Sequence, residues 1–175
     1  MVKKTALGLL LLLVVIQFIR PPKNLSDAPA DNDIGMAYEI PSNVHGILKQ
    51  KCYDCHSNHT RYPWYFNLQP VGWWMYKHIE DGKRELNFSE FKTYSAKKAA
   101  HKLEETAELV REKEMPLKSY VWLHPEARLS AEEEFFVLTF LKCEGSIKDV
   151  EKSLGISYPT VKNRLESVIR KLGLQ

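Results

Sequence analysis

The chain has little cysteine and little excess of either charge, and each shortage removes a class of protein. Three cysteines in 175 residues are too few for a disulfide framework. A net charge of +3 is too small to name a partner by electrostatics. No set of nucleophile, base and orienting residue stands out, nor any pair of carboxylates, so a catalytic role is not expected and a hydrolytic one least of all. Long apolar runs are scarce too. The one example, Ala6 through Ile19, is at the low end for a spanning helix, and no second span follows it. With 44% hydrophobic and 27% charged residues, the chain can build one medium domain or two small ones.

What is there centres on Cys52-Tyr53-Asp54-Cys55-His56. Cys-x-x-Cys-His is the attachment pattern of a c-type haem. On a helical turn Cys52 and Cys55 project from one face, where two sulfurs can form thioethers with the two vinyl groups of one porphyrin. His56 then lies on that face as a ligand for the iron. The expected cofactor is one covalent haem c per chain, with Cys52, Cys55 and His56 as its binding residues. A bare Cys-x-x-Cys also serves thiol redox chemistry or half of a zinc site. Zinc would draw on Cys52, Cys55 and His59, with Cys143 or another histidine as the fourth ligand. A disulfide between Cys52 and Cys55 would close a short, strained loop. Cys143 reads as a small buried hydrophobe.

Lys3 and Lys4 precede the apolar run, which reads as a signal sequence or a short membrane anchor. The small-residue pattern Ala28-Pro29-Ala30 lies far beyond the run and after Arg20-Pro21-Pro22, poorly placed for cleavage. The expectation is an uncleaved anchor over residues 1–20, lysines inside and the remainder exported. That places the chain in the cytoplasmic membrane as a single-pass protein, with its haem domain facing the periplasm or exterior. Residues 21–40 are rich in Pro, Asn, Asp and Ala and read as a linker.

The folded part is expected from Pro41. Ser42 can cap a helix whose stripe Val44, Ile47, Leu48 continues to Cys52 and Cys55. Arg61-Tyr62-Pro63-Trp64-Tyr65-Phe66-Asn67-Leu68-Gln69-Pro70 is a proline-broken aromatic segment, suited to walling a flat apolar cofactor or to an ordinary core. Val71 through Asp81 reads as a helix ended by Gly82. Ser95 can cap another with stripe Ala100, Leu103, Ala107, Val110. Met115-Pro116-Leu117 follows, and a methionine in such a loop is the expected sixth iron ligand. His78, His124 and His101 are the alternatives, and the position can also stay open.

Residues 17–130 resemble the bacterial haem-binding domain family of exported, cytochrome c-like proteins. The resemblance is carried by Cys52 through Asn58, Arg61 through Tyr65, Gln69-Pro70-Val71, Trp73-Trp74, Leu86 through Ser89, His101 through Glu105 and Met115-Pro116-Leu117. It implies a covalent haem on Cys52 and Cys55 with His56 as proximal ligand, outside the cytoplasmic membrane, and it implies no substrate.

Beyond Ser130 the chain departs from that family. Ala131 to Lys142 is amphipathic, Gly145-Ser146 opens a second helix ended by Gly155, and Ser157-Tyr158-Pro159 starts a third. Helix, short turn, helix is the layout of a helix-turn-helix. Residues 129–175 resemble the C-terminal helix-turn-helix region of a small family of bacterial regulators, especially in Gly155 through Leu165. On that resemblance Thr160, Lys162, Asn163 and Arg164 would face DNA.

The expected fold class is therefore mainly α: a membrane anchor, a cytochrome c-like haem domain over 41–130, and a helix-turn-helix-like three-helix unit over 131–175. Covalent haem attachment is extracytoplasmic and chromosomal DNA is not, so topology argues against nucleic acid as a partner. The expected function is electron transfer, or redox or ligand sensing, with an unidentified redox partner protein. The alternative is a DNA-binding transcriptional regulator.

Overall fold

The computed structural model describes residues 2–26 and 31–143, together with Lys152. Eight α-helices occur in these residues: α1 (Val2–Val15), α2 (Ile34–Ala37), α3 (Ser42–Lys51), α4 (Tyr53–His56), α5 (Val71–Glu85), α6 (Ala96–Arg111), α7 (Lys118–Leu123) and α8 (Ala131–Lys142). No strand occurs among the described residues beyond an isolated antiparallel bridge between Leu25 and His59. The chain divides into two compact units, Met1–Ala28 with Asp54–Asn87, and Pro29–Tyr53 with Phe88–Gln175.

The first unit corrects the membrane anchor. Helix α1 has 14 residues, about 21 Å at ~1.5 Å per residue, against a hydrocarbon core of about 30 Å. No helix among the described residues is long and apolar enough to cross a membrane. The apolar run ends early because its last residues turn to polar work. The backbone tightens into a 3-10 turn at Ile16–Phe18 and is extended at Ile19. Gln17 Nε2 donates to the Gln69 carbonyl at 3.1 Å while its Oε1 accepts from Gln69 N–H at 2.8 Å, and Trp73 Nε1 donates to the Ile19 carbonyl at 2.8 Å. The anchor, and with it the single-pass placement in the cytoplasmic membrane, is withdrawn.

Two glycines let α5 serve as the scaffold of this unit. A Cβ on Gly72 would stand 2.7 Å from Gln69 Nε2 and press on the Phe66 carbonyl, so the close approach of the helix to the 3-10 turn Trp64–Asn67 at this point needs a glycine. Gly82, expected to end the helix, lies inside it, and α5 runs on to Glu85.

The second unit packs α8 against α6 and α3. Ala99, Leu103, Ala107 and Val110 of α6 and Val137, Phe140 and Leu141 of α8 are buried, the mixed i, i+3 and i, i+4 spacing of one helix face. Ala99 is buried where Ala100 was expected, and Ala100 is only half-buried. Ser95 caps α6 by accepting from Lys98 N–H at 3.3 Å. Ser130 and Glu133 form a reciprocal capping box on α8. Ser42 is the first residue of α3 rather than its cap, because Pro41 occupies the N-cap position.

Described residues of the expected linker enter both units. Asp33 caps α2 by accepting from Gly35 N–H, and Ile34 is fully buried in the second unit. In the first unit Asn24 and Ser26 bond to the 58–60 backbone: Thr60 N–H donates to Asn24 O and Ser26 N–H to Asn58 O, each at 2.9 Å.

Candidate functional site

The five-residue motif straddles the division of the chain, Cys52 and Tyr53 belonging to the second unit and Asp54, Cys55 and His56 to the first. The expected continuous helix is interrupted here. Cys52 is the C-cap of α3 with φ −123° and ψ −38°, and a separate short helix, α4, begins at Tyr53. The motif therefore does not lie on one continuous helix.

Tyr53, Asp54, Cys55 and His56 each have an anchor within their own unit. In the second unit, Tyr53 donates its hydroxyl to Asp33 Oδ2 at 2.9 Å and stacks on Phe88 with ring centroids 5.4 Å apart. Burial, then the Asp33 carboxylate, pushes the Tyr53 phenol well above its ordinary range. His45 stands beside them, 3.4 Å from the Tyr53 hydroxyl and 3.6 Å from Asp33 Oδ1. Burial, then the Lys49 charge, lowers the pKa of His45 despite Asp33. Just before the motif, Lys51 is buried and aims its Nζ at the Glu126 carbonyl, the Arg128 carbonyl at 3.2 Å and Glu133 Oε1 at 3.4 Å. Glu133 Oε1 has ion-pair distance without hydrogen-bond geometry.

In the first unit, buried Asp54 receives Arg61 in a fork: Nε to Oδ1 at 3.0 Å and Nη2 to Oδ2 at 2.8 Å, with the Arg61 N–H adding a third bond at 3.0 Å. Thr60 Oγ1 donates to the Asp54 carbonyl at 2.7 Å. Asn24 ties down the same loop, donating from Nδ2 to Ser57 O at 2.8 Å and Thr60 Oγ1 at 2.9 Å, and accepting from Lys83 Nζ at 2.8 Å. Neither Asp54 nor Asn24 was singled out by sequence reasoning. Arg61 stood among the residues carrying the resemblance, and its partner Asp54 inside the motif was the available clue.

Cys55 is held by α5 and His56 by its C-cap residue, Leu86. The Cys55 main chain and Cβ lie against Gly82. Burial, then the neighbouring Asp54 charge, pushes the Cys55 thiol up to about 12. His56 Nδ1 lies 3.0 Å from the Leu86 carbonyl. A carbonyl can only accept, so Nδ1 carries the proton and the lone pair of the neutral ring is on Nε2. That is the tautomer a metal-bound histidine needs, with its other nitrogen oriented by a backbone acceptor.

The remaining candidates are placed as follows. His78 shares the first unit with His56; its Nδ1 donates to the Trp74 carbonyl at 2.9 Å and its ring tilts against Trp74. Met115, His101 and His124 belong to the second unit. Met115 is half-buried, its N–H donating to Leu109 O at 3.1 Å where α6 unwinds through Lys113 at φ 62°. His101 is exposed on α6. His124 stacks on Tyr120 and pairs through Nδ1 with Glu126 at 3.0 Å. Of the aromatic segment, Phe66 is core, paired with Tyr62 at 4.2 Å, whereas Trp64 is exposed. Thr160, Lys162, Asn163 and Arg164 lie outside the described residues.

No disulfide joins Cys52 and Cys55, and Cys143 is half-buried rather than fully enclosed. Among the described residues no three histidine, cysteine or carboxylate side chains gather as a metal site, so the zinc alternative gains no support. The residues present do suit a haem. Two cysteines and a histidine of the correct tautomer stand at attachment spacing in the sequence, and Gly82 lets the Cys55 main chain lie directly against α5.

A helical protein built around this motif defines a class, and the sequence comparison gives its family. The chain belongs to the haem-binding domain family, which matches residues 11–143. Residues 11–143 are therefore a haem-binding domain. Residues 129–175 match a second family, described as Domain of unknown function (DUF2089)-HTH. The two matches overlap on 129–143, which contains α8. The haem-binding match thus extends past Ser130 and takes in the helix that closes on α6. No curated protein and no solved structure matches the chain.

Proposed function

We propose that this is a mono-haem c-type protein, Cys52 and Cys55 holding the porphyrin by thioethers and His56 giving the iron its proximal nitrogen. Haem supplies one-electron chemistry when bound, or an iron that takes a small ligand. The role proposed is that of an electron carrier or a redox or ligand sensor rather than an enzyme, with a protein redox partner. The observation that carries the reading is the His56 Nδ1 to Leu86 carbonyl contact of 3.0 Å. It fixes the ring orientation and raises the basicity of the other nitrogen. Met115 is proposed as the sixth ligand, with His78, His124 and His101 as alternatives. A thioether there would raise the reduction potential relative to a second imidazole.

The test is haem staining on a denaturing gel of the full chain, expressed with a c-type maturation apparatus. The parent retains haem, Cys52→Ala/Cys55→Ala loses it, and His56→Ala keeps covalent haem with altered iron ligation. Haem that survives the double substitution would refute covalent attachment.

A second reading is favoured by the helix-turn-helix family match at 129–175: a DNA-binding regulator with the haem domain as sensor. With the membrane span withdrawn, that part of the topological objection no longer weighs against it. Duplex binding by the full chain that is lost in Lys162→Ala/Arg164→Ala supports it; no salt-sensitive binding sinks it.

A further inference from the structure

We infer that Gly82 is a positioning residue for Cys55, which deepens the haem reading and rests on it. Glycine is a poor choice in the interior of a 15-residue helix, where it gives up backbone entropy and packing. Its use here has a local reason. A Cβ at position 82 would stand 2.7 Å from the Cys55 carbonyl oxygen, 3.3 Å from its carbonyl carbon and 3.2 Å from its Cβ. The first of these is closer than atoms tolerate, and the obstructing atoms are backbone, which cannot swing away as the end of a long side chain can. Gly82 therefore sets how near Cys55 lies to α5.

The end of the same helix holds the next motif residue. Leu86 N–H donates to the Gly82 carbonyl at 2.9 Å, and the Leu86 carbonyl takes His56. Gly82 in the last turn of α5 and Leu86, the extended C-cap that its carbonyl holds, thus contact consecutive members of the motif. Displacing Cys55 from this face separates its sulfur from the place His56 defines. Thioether formation adds the thiol S–H across a vinyl C=C: the C–S and C–H bonds form, the S–H and π bonds break, and no electrons are gained or lost. The step needs the sulfur at the vinyl carbon, and Gly82 governs that for Cys55 alone.

The experiment places Gly82→Ala in two single-cysteine backgrounds of the full chain, Cys52→Ala and Cys55→Ala, each expressed with the maturation apparatus. Covalent haem is read by intact mass after denaturation and folding by far-UV circular dichroism. In the Cys52→Ala background, where only Cys55 can attach, Gly82→Ala loses the haem mass increment. In the Cys55→Ala background the increment stays at the level of its parent. Unchanged haem in the first background overturns the inference. Equal loss in both overturns it as well, because that is a general folding defect. If the wild-type chain and both single-cysteine parents carry no covalent haem, the haem reading itself fails and takes the inference with it.

Discussion

Cys55 is a thiol that its surroundings keep quiet. Burial holds its pKa near 12 against an ordinary 9.0, and only the thiolate attacks electrophiles. Iodoacetamide should therefore label Cys55 of the haem-free protein slowly at pH 8, with the rate rising toward pH 12; fast labelling at pH 8 would show that the residue is open to solvent. The same shift makes a stability statement. A raised folded-state value favours the folded protein's protonated thiol, so its contribution is whole below pH 9 and lost between about 9 and 12. Asn24 carries more structure than its neighbourhood suggests. Three side-chain bonds at roughly 0.5–1.5 kcal/mol each imply that Asn24→Ala costs about 2 kcal/mol, measured by urea unfolding. A loss below a few tenths would mean the strap over 57–62 is not held there. Composition hid this residue. A stretch of Pro, Asn and Asp looks like a tether, and bonds reaching 33 to 59 residues along the chain leave no local pattern.

At the level of elements, the end of α3 is fixed by a buried ion pair. Lys51 and Glu133 have side chains 7% and 4% exposed, so removing one partner strands a charge. Lys51→Met alone should cost about 3–5 kcal/mol, and Lys51→Met/Glu133→Gln, which removes the stranded charge and keeps an oxygen for the Ser130 N–H of the capping box, should recover part of it. A double variant no better than the single would show that the backbone carbonyls of Glu126 and Arg128, not the carboxylate, are the partners that matter. The helices were largely legible in the sequence where a local rule governs them. Ser95 before a 3.6-residue stripe gave α6, and Ser130-x-x-Glu133 carries the capping box of α8. Two elements were not. The stripe of α3 runs on into Cys52 and Cys55 without a breaker, yet the helix stops at Lys51, where Lys51 turns to the 126–128 carbonyls and Tyr53 to Asp33. Gly82 looked like a terminator because its reason for being there, the backbone of Cys55, is 27 positions away. Cys52-Tyr53-Asp54-Cys55-His56 stood out in the sequence because its signal is a local spacing. Its supports in α5 were invisible for the opposite reason.

For the molecule as a whole, the family match over 11–143 and the helix-turn-helix match over 129–175 share α8. That helix is packed on α6 and α3 by Val137, Phe140 and Leu141. Truncation after Lys142 should therefore leave the haem-binding domain folded, whereas truncation after Ser130 should expose the α6 face and collapse stability, as thermal melts would show; equal melting of the two would remove α8 from the domain. Replacing Met115 with Ala should lower the reduction potential, and an unchanged potential would pass the sixth position to one of the histidines. The apolar N-terminal run misled because hydropathy was read without its ends. Gln17 and Ile19 are tied to Gln69 and Trp73, and a 14-residue helix remains. Everything in the account turns on whether haem is joined to the chain. The most direct measurement is a pyridine haemochrome spectrum of the purified full chain, paired with its intact mass. The account predicts the band position of a porphyrin with both vinyl groups saturated and a mass raised by one haem. A free-haem band, with the mass of the bare polypeptide, would contradict it.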